Sequence, residues 1–179
     1  MSDLAKEAAA YAETRQLDAQ CMANTLWTFA SLSWRDVPLL VAFSRARETV
    51  LGGGEQELGS FLWAMGKLCY EDPQLMADVA AVSMARLKEF SSRGLVSIAW
   101  YLGTLSRSVS AGGTCKKPLL HAIAASLSPE DMACQDVANV AWTFARLIVD
   151  DSACKVVLTD AFLHAPSGQF KLQELSNLA

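Results

Sequence analysis

The sequence contains few of the side chains that enzymes use for catalysis or metal binding. Its only two histidines, His121 and His164, lack the set of carboxylates or cysteines at ligand spacing that a metal site needs, since Asp160 alone, four residues before His164, has that spacing. We therefore interpret both as ordinary surface or core-edge side chains. No combination of nucleophile, base and orienting group is visible, so we predict a protein that is not an enzyme and needs no metal or cofactor.

The cysteines exclude a second class of protein. There are five, an odd number, and the closest two, Cys115 and Cys134, are 19 residues apart, so no CxxC pair exists. A disulfide framework or a zinc site usually shows paired, closely spaced cysteines. We therefore expect reduced, partly buried thiols and a reducing compartment.

Long hydrophobic runs are also absent, although 52% of the residues are hydrophobic. No stretch approaches the roughly 20 apolar residues that a membrane span requires, so we expect no such span. The first residues, MSDLAKEAAAYAE, lack the apolar stretch of a signal peptide and the arginines of a transit peptide. Three explanations stay open: a targeting segment was removed, the chain is a fragment, or the protein is cytosolic.

Two short motifs that could suggest a binding or catalytic site are better explained by helix connections. LGGGEQE, from Leu51 to Glu57, lacks the GK[ST] of a phosphate-binding loop and follows a predicted helix, so we interpret it as a linker. The acidic pairs Glu71–Asp72, Glu130–Asp131 and Asp150–Asp151 lie at predicted helix junctions, where carboxylates accept hydrogen bonds from free backbone N–H groups. We expect them to cap helices.

The dominant feature is a ten-residue segment that occurs four times. Residues 23–32 read ANTLWTFASL and residues 138–147 read ANVAWTFARL, with GSFLWAMGKL at 59–68 and VSIAWYLGTL at 96–105 between them. The four tryptophans, Trp27, Trp63, Trp100 and Trp142, are 36, 37 and 42 residues apart, and LSNLA at the C-terminus matches the start of a fifth copy. Such periods are typical of solenoids and propellers.

The pattern within each copy predicts an α-helix. The positions five and two before each tryptophan, and two and five after it, are almost all large and apolar, at steps of 3, 4 and 3. This core row comprises Met22, Thr25, Phe29, Leu32, Leu58, Phe61, Met65, Leu68, Leu95, Ile98, Leu102, Leu105, Val137, Val140, Phe144 and Leu147. A second row, four before and three after the tryptophan, is small and predicts close helix contacts: Ala23, Ala30, Gly59, Gly66, Val96, Gly103, Ala138 and Ala145.

A second apolar segment follows each of these helices, starting at Val37, Asp72, Lys117 and Ala153. No segment alternates as a strand would. We predict an all-α protein, an α-solenoid of about four helical-hairpin repeats with a period of about 38 residues and partial units at both ends. The single domain 1–179 then divides into units at approximately 1–17, 18–54, 55–91, 92–131, 132–169 and 170–179.

A polar stripe on the tryptophan-bearing helices points to a ligand. The positions three before, one after and four after each tryptophan are mostly small and hydrogen-bonding, and none is acidic, whereas an ordinary solvated helix face is rich in Glu and Lys. The stripe consists of Asn24, Thr28, Ser31, Ser60, Ala64, Lys67, Ser97, Tyr101, Thr104, Asn139, Thr143, Arg146 and Asn177. Two interpretations stay open: the stripe reads RNA bases, one set per repeat, or it makes hydrogen bonds between neighbouring helices.

The charges and the tryptophans add to this hypothesis. The net charge is −4, but residues 86–129 carry six basic side chains against Glu89 alone. Arg93, Arg107, Lys116 and Lys117 of this basic band would attract phosphates irrespective of base sequence. We interpret the tryptophans as structural ridges between repeats rather than as platforms for base stacking.

These motifs resemble a known family. ANTLWTFASL and DVANVAWTFARL, at a period near 38 residues, are similar to the octotricopeptide repeats of algae and related protists, and to the repeats ahead of RAP domains in apicomplexan and dinoflagellate organellar proteins. The FAST-kinase-like proteins are more distantly similar. The resemblance covers Arg15 to Ala179 and implies an α-solenoid in a mitochondrion or plastid that binds RNA during processing, translation or ribosome assembly.

We therefore expect an RNA-binding helical-repeat protein whose partners are single-stranded RNA or ribosomal RNA and the protein subunits of a larger assembly. The alternative is a protein-interaction scaffold that touches no RNA. An organellar location follows from the resemblance alone, and the cytoplasm is the alternative.

Overall fold

The computed structural model describes residues 2–105, 113–147, 152–164 and 170–171, with only the backbone at 113–116. Within these ranges the chain is all α-helical and contains no strand. Its α-helices are α1 (Ser2–Glu13), α2 (Ala19–Ser31), α3 (Val37–Arg45), α4 (Glu48–Leu51), α5 (Glu55–Lys67), α6 (Pro73–Ala85), α7 (Ser92–Leu105), α8 (Gly113–Ser126), α9 (Cys134–Arg146) and α10 (Ser152–His164). The four predicted tryptophan-bearing helices are confirmed as α2, α5, α7 and α9.

Residue contacts divide the chain into two compact units, Met1–Val82 and Ser83–Ala179. In the first compact unit, α2 packs against α5 and α1 packs against α3. In the second compact unit, α7 packs against α9 and α8 packs against α10. Within each unit, therefore, the two tryptophan-bearing helices pack against each other. Two helices without a repeat tryptophan also pack against each other, α1 with α3 and α8 with α10.

The predicted core row forms the centre of this packing. Thirteen of its sixteen side chains are buried. Burial of each large aliphatic or aromatic side chain contributes roughly 1.5–3 kcal/mol. The exceptions are Thr25 and Leu147, which are half-buried, and Leu32, which is 61% exposed where its counterpart Leu68 is 5% exposed. The buried face predicted from the tryptophan positions is therefore confirmed, except that no neighbouring side chain among the described residues covers Leu32 at the end of α2.

Helices α1, α2 and α5 end in the same way. Each is followed by a residue with positive φ, namely Arg15 (55°), Ser33 (53°) or Cys69 (51°). Two backbone hydrogen bonds close the turn behind α2, from Trp34 to the Phe29 carbonyl and from Ser33 to the Ala30 carbonyl, and the same pair recurs behind α1 and α5. This is the Schellman arrangement, formed here without the glycine that usually occupies the left-handed position.

One arginine shows the direction of the helices in the first compact unit. Arg35 lies just beyond the end of α2, and its Nε atom donates a hydrogen bond to the carbonyl of Leu68 at the end of α5, at 3.0 Å. Because the two helices pack side by side and their C-terminal ends are adjacent, α2 and α5 run in the same direction. Two equivalent tryptophan-bearing helices are therefore parallel neighbours within that unit.

Two predicted segments differ in detail. The segment from Val37 was expected to be continuous, but α3 ends at Arg45 and α4 begins at Glu48. Arg47, between them, is held by one tertiary and one local contact, because its Nε donates to Asp78 of α6 at 2.6 Å and its Nη1 donates to the Ser44 carbonyl, three residues earlier, at 3.1 Å. The segment predicted to start at Lys117 begins earlier, at Gly113, so that Pro118 lies inside α8.

No helix in the described part of the chain is long and apolar enough to span a membrane. Of the cysteines, Cys21, Cys69, Cys134 and Cys154 are not part of a disulfide, and Cys21 and Cys69 are exposed. The side chain of Cys115 lies outside the described residues. The expectation of reduced cysteines therefore agrees with the structure at the four positions whose side chains it describes.

Aspartates cap several helices. Asp18 accepts from the Cys21 N–H, Asp36 from the Leu39 N–H, and Asp72 from the N–H groups of Gln74 and Leu75. The cap predicted for the Glu71–Asp72 pair is therefore confirmed. Glu130 and Asp131 instead lie in a 3-10 turn, Pro129–Asp131, and Asp136 bonds the Ala133 N–H at the start of α9. Asp150 and Asp151 lie outside the described residues.

Asp72 also links two helices of the first compact unit, because the Ser44 hydroxyl of α3 donates to its carboxylate at 2.5 Å. Burial acts to raise the pKa of Asp72. The hydrogen bonds from Ser44, Leu75 and Gln74, together with the nearby charge of Arg47, outweigh burial and hold this pKa below its ordinary value.

We expect Asp72→Ala to lower the free energy of unfolding by about 1–2 kcal/mol at pH 7, because it removes the cap of α6. The contribution of Asp72 is present above the unfolded-state pKa of about 3.9 and is lost as the pH falls through the lower folded-state value. Urea unfolding at pH 7 and near pH 2.5 measures this difference. Glu71→Ala is the control, since it removes an adjacent exposed carboxylate with no cap bond; equal effects of the two variants at pH 7 would contradict the assignment.

Candidate nucleic-acid interface

The tryptophans lie on the side of their helices that faces away from the core. At 100° per residue, the core row centres opposite the tryptophan, and the residues three before and four after it fall within about 60° of the ring. Trp27 is 50% exposed, and Trp63, Trp100 and Trp142 are half-buried. We call the surface formed by these three positions the outward face of each tryptophan-bearing helix.

In the first compact unit the outward faces of α2 and α5 join. The ring centroids of Trp27 and Trp63 are 6.4 Å apart with an interplanar angle of 31°. The Nζ atom of Lys67 lies 5.2 Å from the Trp63 ring centroid, within cation–π range. Two neighbouring helices therefore present a continuous indole surface with an exposed ammonium group at one end.

The polar side chains of α2 lie on one flank of Trp27. Asn24, Thr28 and Ser31, the members of the predicted polar stripe on this helix, are all exposed. The Thr28 hydroxyl donates to the Asn24 carbonyl of its own helix at 2.9 Å rather than to a neighbouring helix. No acidic residue lies within α2, so a negatively charged ligand meets no carboxylate from this helix.

In the second compact unit α9 packs closely on α7 through Gly103. A Cβ atom at Gly103 would lie 3.1 Å from Cγ2 of Thr143 and 3.2 Å from the Trp142 ring. The Nε atom of Arg146 donates to the Gly103 carbonyl at 2.9 Å, and its guanidinium carbon lies 5.1 Å from the Trp142 ring centroid. The small residue predicted at this position thus permits the contact, and the two helices run in the same direction.

The residue after each tryptophan does not belong to the polar stripe. Thr143 was predicted to contact RNA, but it is fully buried because it points sideways at the neighbouring helix and packs on Gly103. Tyr101, also predicted to contact RNA, is fully buried, as is Ala64. At this position only Thr28 is exposed. Tyr101 and Thr143 are therefore enclosed in the helix packing, and neither forms part of the exposed stripe.

The remaining stripe residues are partly accessible. Ser60, Ser97, Thr104 and Asn139 are half-buried, whereas Lys67 and Arg146 are exposed. The Ser97 hydroxyl donates to the Arg93 carbonyl one turn earlier, and the Thr104 hydroxyl oxygen is buried. Asn177 lies outside the described residues. The exposed stripe is thus narrower than predicted and consists of the positions three before and four after the tryptophan.

The basic band does not form one cluster in the described residues. Arg93, in the first turn of α7, and Lys117, in α8, are both exposed. The Ser128 N–H beyond α8 donates to the Ser92 hydroxyl, so the end of α8 meets the start of α7. Lys117 is nine residues before Ser126, which is about 13 Å along the helix from that end. Arg107 and the side chain of Lys116 lie outside the described residues.

Arg93 lies near the carboxylate of Asp136 in the second compact unit. Burial raises the pKa of Asp136 above its ordinary value, while the hydrogen bond from the Ala133 N–H and, to a smaller extent, the nearby charge of Arg93 act to lower it. Part of the charge of Arg93 is therefore offset within the second compact unit, which weakens the predicted role of the band as a source of attraction.

The tryptophans are more accessible to solvent than the sequence predicted. They do form ridges between helices, as Trp27 on Trp63 and Trp142 on Gly103 show. They also remain accessible on the outward face, which the ridge interpretation did not anticipate. A signal for this was present in two copies, where a basic residue follows the tryptophan by four positions, in Trp63–Lys67 and in Trp142–Arg146.

In the part of the chain with described side chains, no group of three or more His, Cys, Asp or Glu residues could hold a metal ion. Comparison with protein-family models and with curated proteins finds no match for this sequence.

Proposed function

We propose that the helical hairpins stack as an α-solenoid and that the protein binds single-stranded RNA through the outward faces of its tryptophan-bearing helices. The side-by-side, same-direction pairing of equivalent helices within each compact unit supports the stacking. Repeat proteins of this kind contact chiefly neighbouring repeats and present extended binding surfaces.

The observation that carries the RNA proposal is the surface formed by Trp27, Trp63 and Lys67. Proteins that bind single strands combine aromatic rings, on which bases stack, with basic groups that follow the phosphates. Two accessible indoles in contact, with an ammonium group 5.2 Å from one of them, provide both elements at one place. Asn24 and Ser31, on the same helix face as Trp27, supply donors and acceptors for base edges.

The resemblance to octotricopeptide and RAP-associated repeats adds the cellular setting to this proposal. It favours an organellar protein that acts in RNA processing, translation or ribosome assembly, with ribosomal RNA or a transcript as its ligand. The role is that of a binding module and not of an enzyme, and protein subunits of the same assembly are its further partners.

Photo-crosslinking locates the ligand directly. We expect short RNAs that contain 4-thiouridine to crosslink to peptides from α2 and α5 when the complex is irradiated and digested for mass spectrometry. The exposed helix α1 serves as the internal control, because it carries no tryptophan and lies outside the outward face. Crosslinks spread evenly over α1, α2 and α5 would contradict a site at the indole pair.

One observation favours the alternative, a protein-interaction scaffold. The first compact unit carries six basic and eleven acidic side chains, a net charge of −5, and exposes three apolar residues close in sequence, Leu32, Trp34 and Val37. An acidic surface with apolar contacts suits a basic protein partner better than a polyanion. Copurification of stoichiometric protein and no RNA from the native source would favour this function.

A further inference from the structure

The side chain of Arg146 is held at two points. Its Nε atom bonds the Gly103 carbonyl on α7, and its guanidinium group lies over the Trp142 ring of its own helix. Gly103 is in the last turn of α7, where carbonyl groups lack intrahelical N–H partners and the helix dipole attracts a cation. The orientation of Arg146 is therefore fixed by the joint between α7 and α9.

The rest of the guanidinium group remains available. Arg146 is exposed, and no acceptor among the described residues bonds its Nη1 or Nη2 atoms. These two nitrogens carry four N–H donors in one plane, the arrangement that matches two oxygens of a phosphate group. An arginine that is already oriented loses less side-chain entropy when it binds such a group.

We propose that Arg146 is a preoriented binding site for one phosphate group of a single-stranded nucleic acid, and that the Gly103 carbonyl is the positioning group. This proposal rests on the proposed RNA-binding function and deepens it. In the equivalent position of the first compact unit, Lys67 offers a point charge beside Trp63, and no carbonyl of the described residues bonds its ammonium group and fixes its direction. The second unit is therefore expected to grip a phosphate with defined geometry.

The test compares Arg146→Gln and Arg146→Lys with the wild type in fluorescence anisotropy titrations against a short RNA over a range of salt concentrations. Each phosphate contact on a single strand contributes about 0.7 to the slope of log affinity against log salt. We expect Arg146→Gln to reduce this slope by about 0.7 and the affinity by about tenfold. Arg146→Lys keeps the charge and should keep the slope, but it should lose affinity because the planar fork is gone.

A position-specific probe distinguishes a phosphate contact from a general change of charge. An RNA with one neutral methylphosphonate linkage, moved along the strand, should bind the wild type weakly at one position and bind Arg146→Gln equally at all positions. Lys6→Gln on α1 is the matched control for loss of one exposed positive charge, and it should leave the slope unchanged.

The possible outcomes distinguish failure of the Arg146 proposal from failure of the proposed RNA-binding function. If the wild type binds RNA and Arg146→Gln keeps both its slope and its methylphosphonate profile, Arg146 only caps α7 and this proposal is overturned, while the proposed function stands. If the wild type itself shows no salt-dependent binding, both fail. Circular dichroism of each variant verifies folding, and if Arg146→Gln is unfolded, the Arg146→Lys titration alone decides, because an affinity equal to that of the wild type excludes the oriented fork.

Discussion

Replacing Gly103 with leucine is expected to lower the free energy of unfolding by about 3 kcal/mol, because the new side chain must enter a joint that has no room for it. Even one Cβ atom would stand 3.1–3.2 Å from Thr143 and Trp142, closer than an ordinary van der Waals contact. The whole of a leucine would push α9 away from α7 and break the hydrogen bond from Arg146 to the Gly103 carbonyl. Urea unfolding followed by circular dichroism measures the loss.

Ala145→Leu is the matched control for this variant. Ala145 occupies the same position in α9 that Gly103 occupies in α7, but it is exposed. We expect Ala145→Leu to change the free energy of unfolding by less than about 0.5 kcal/mol. If Gly103→Leu and Ala145→Leu unfold at the same urea concentration, the small row is not a packing surface in the second compact unit and the helical phase is wrong.

Removing both indoles of the first compact unit is expected to abolish most RNA binding. Base stacking on an aromatic side chain contributes roughly 1–3 kcal/mol per base, so each of Trp27→Ala and Trp63→Ala should weaken binding by about tenfold, and the double variant by about a hundredfold. Binding should also quench the tryptophan fluorescence of the wild type. Anisotropy titrations against short RNAs measure the change in affinity.

Trp34→Ala provides the control for this experiment. Trp34 is 46% exposed, close to the 50% of Trp27, but it lies in the turn after α2 and not on the outward face. We expect Trp34→Ala to bind RNA as the wild type does. A loss of affinity equal to that of Trp27→Ala would show that any exposed tryptophan binds RNA and that the indole pair has no special role.

The sequence predicted the helices and their buried side because the core row repeats the same physical demand four times. Large side chains at steps of 3, 4 and 3 must face one direction in any α-helix, and the burial of Phe29, Phe61, Leu102 and Phe144 follows from that periodicity. The small residue at Gly103 was also interpretable, since glycine within a helix costs about 1 kcal/mol and indicates a close contact.

The width of the ligand-facing stripe could not be predicted in the same way. The residue after the tryptophan lies about 100° around the helix, on the flank where a neighbouring helix can pack. Periodicity alone does not say which flank is covered, so Thr28 and Thr143, both hydroxyl-bearing, looked equivalent although one is exposed and the other is buried. The distance between Arg93 and Lys117 could not be predicted either, because residues on two consecutive helices can lie at opposite ends of the hairpin that those helices form.

The most direct test of the central claim is the binding of the unmodified protein to short single-stranded RNAs, measured by fluorescence anisotropy at a low and a high salt concentration. We predict binding at micromolar protein concentration that weakens at the higher salt, because Lys67 and Arg146 displace counterions from phosphates. Absence of salt-sensitive binding at this concentration would contradict the RNA-binding function. The protein would then be a scaffold, and the polar residues of the outward face would serve only the fold.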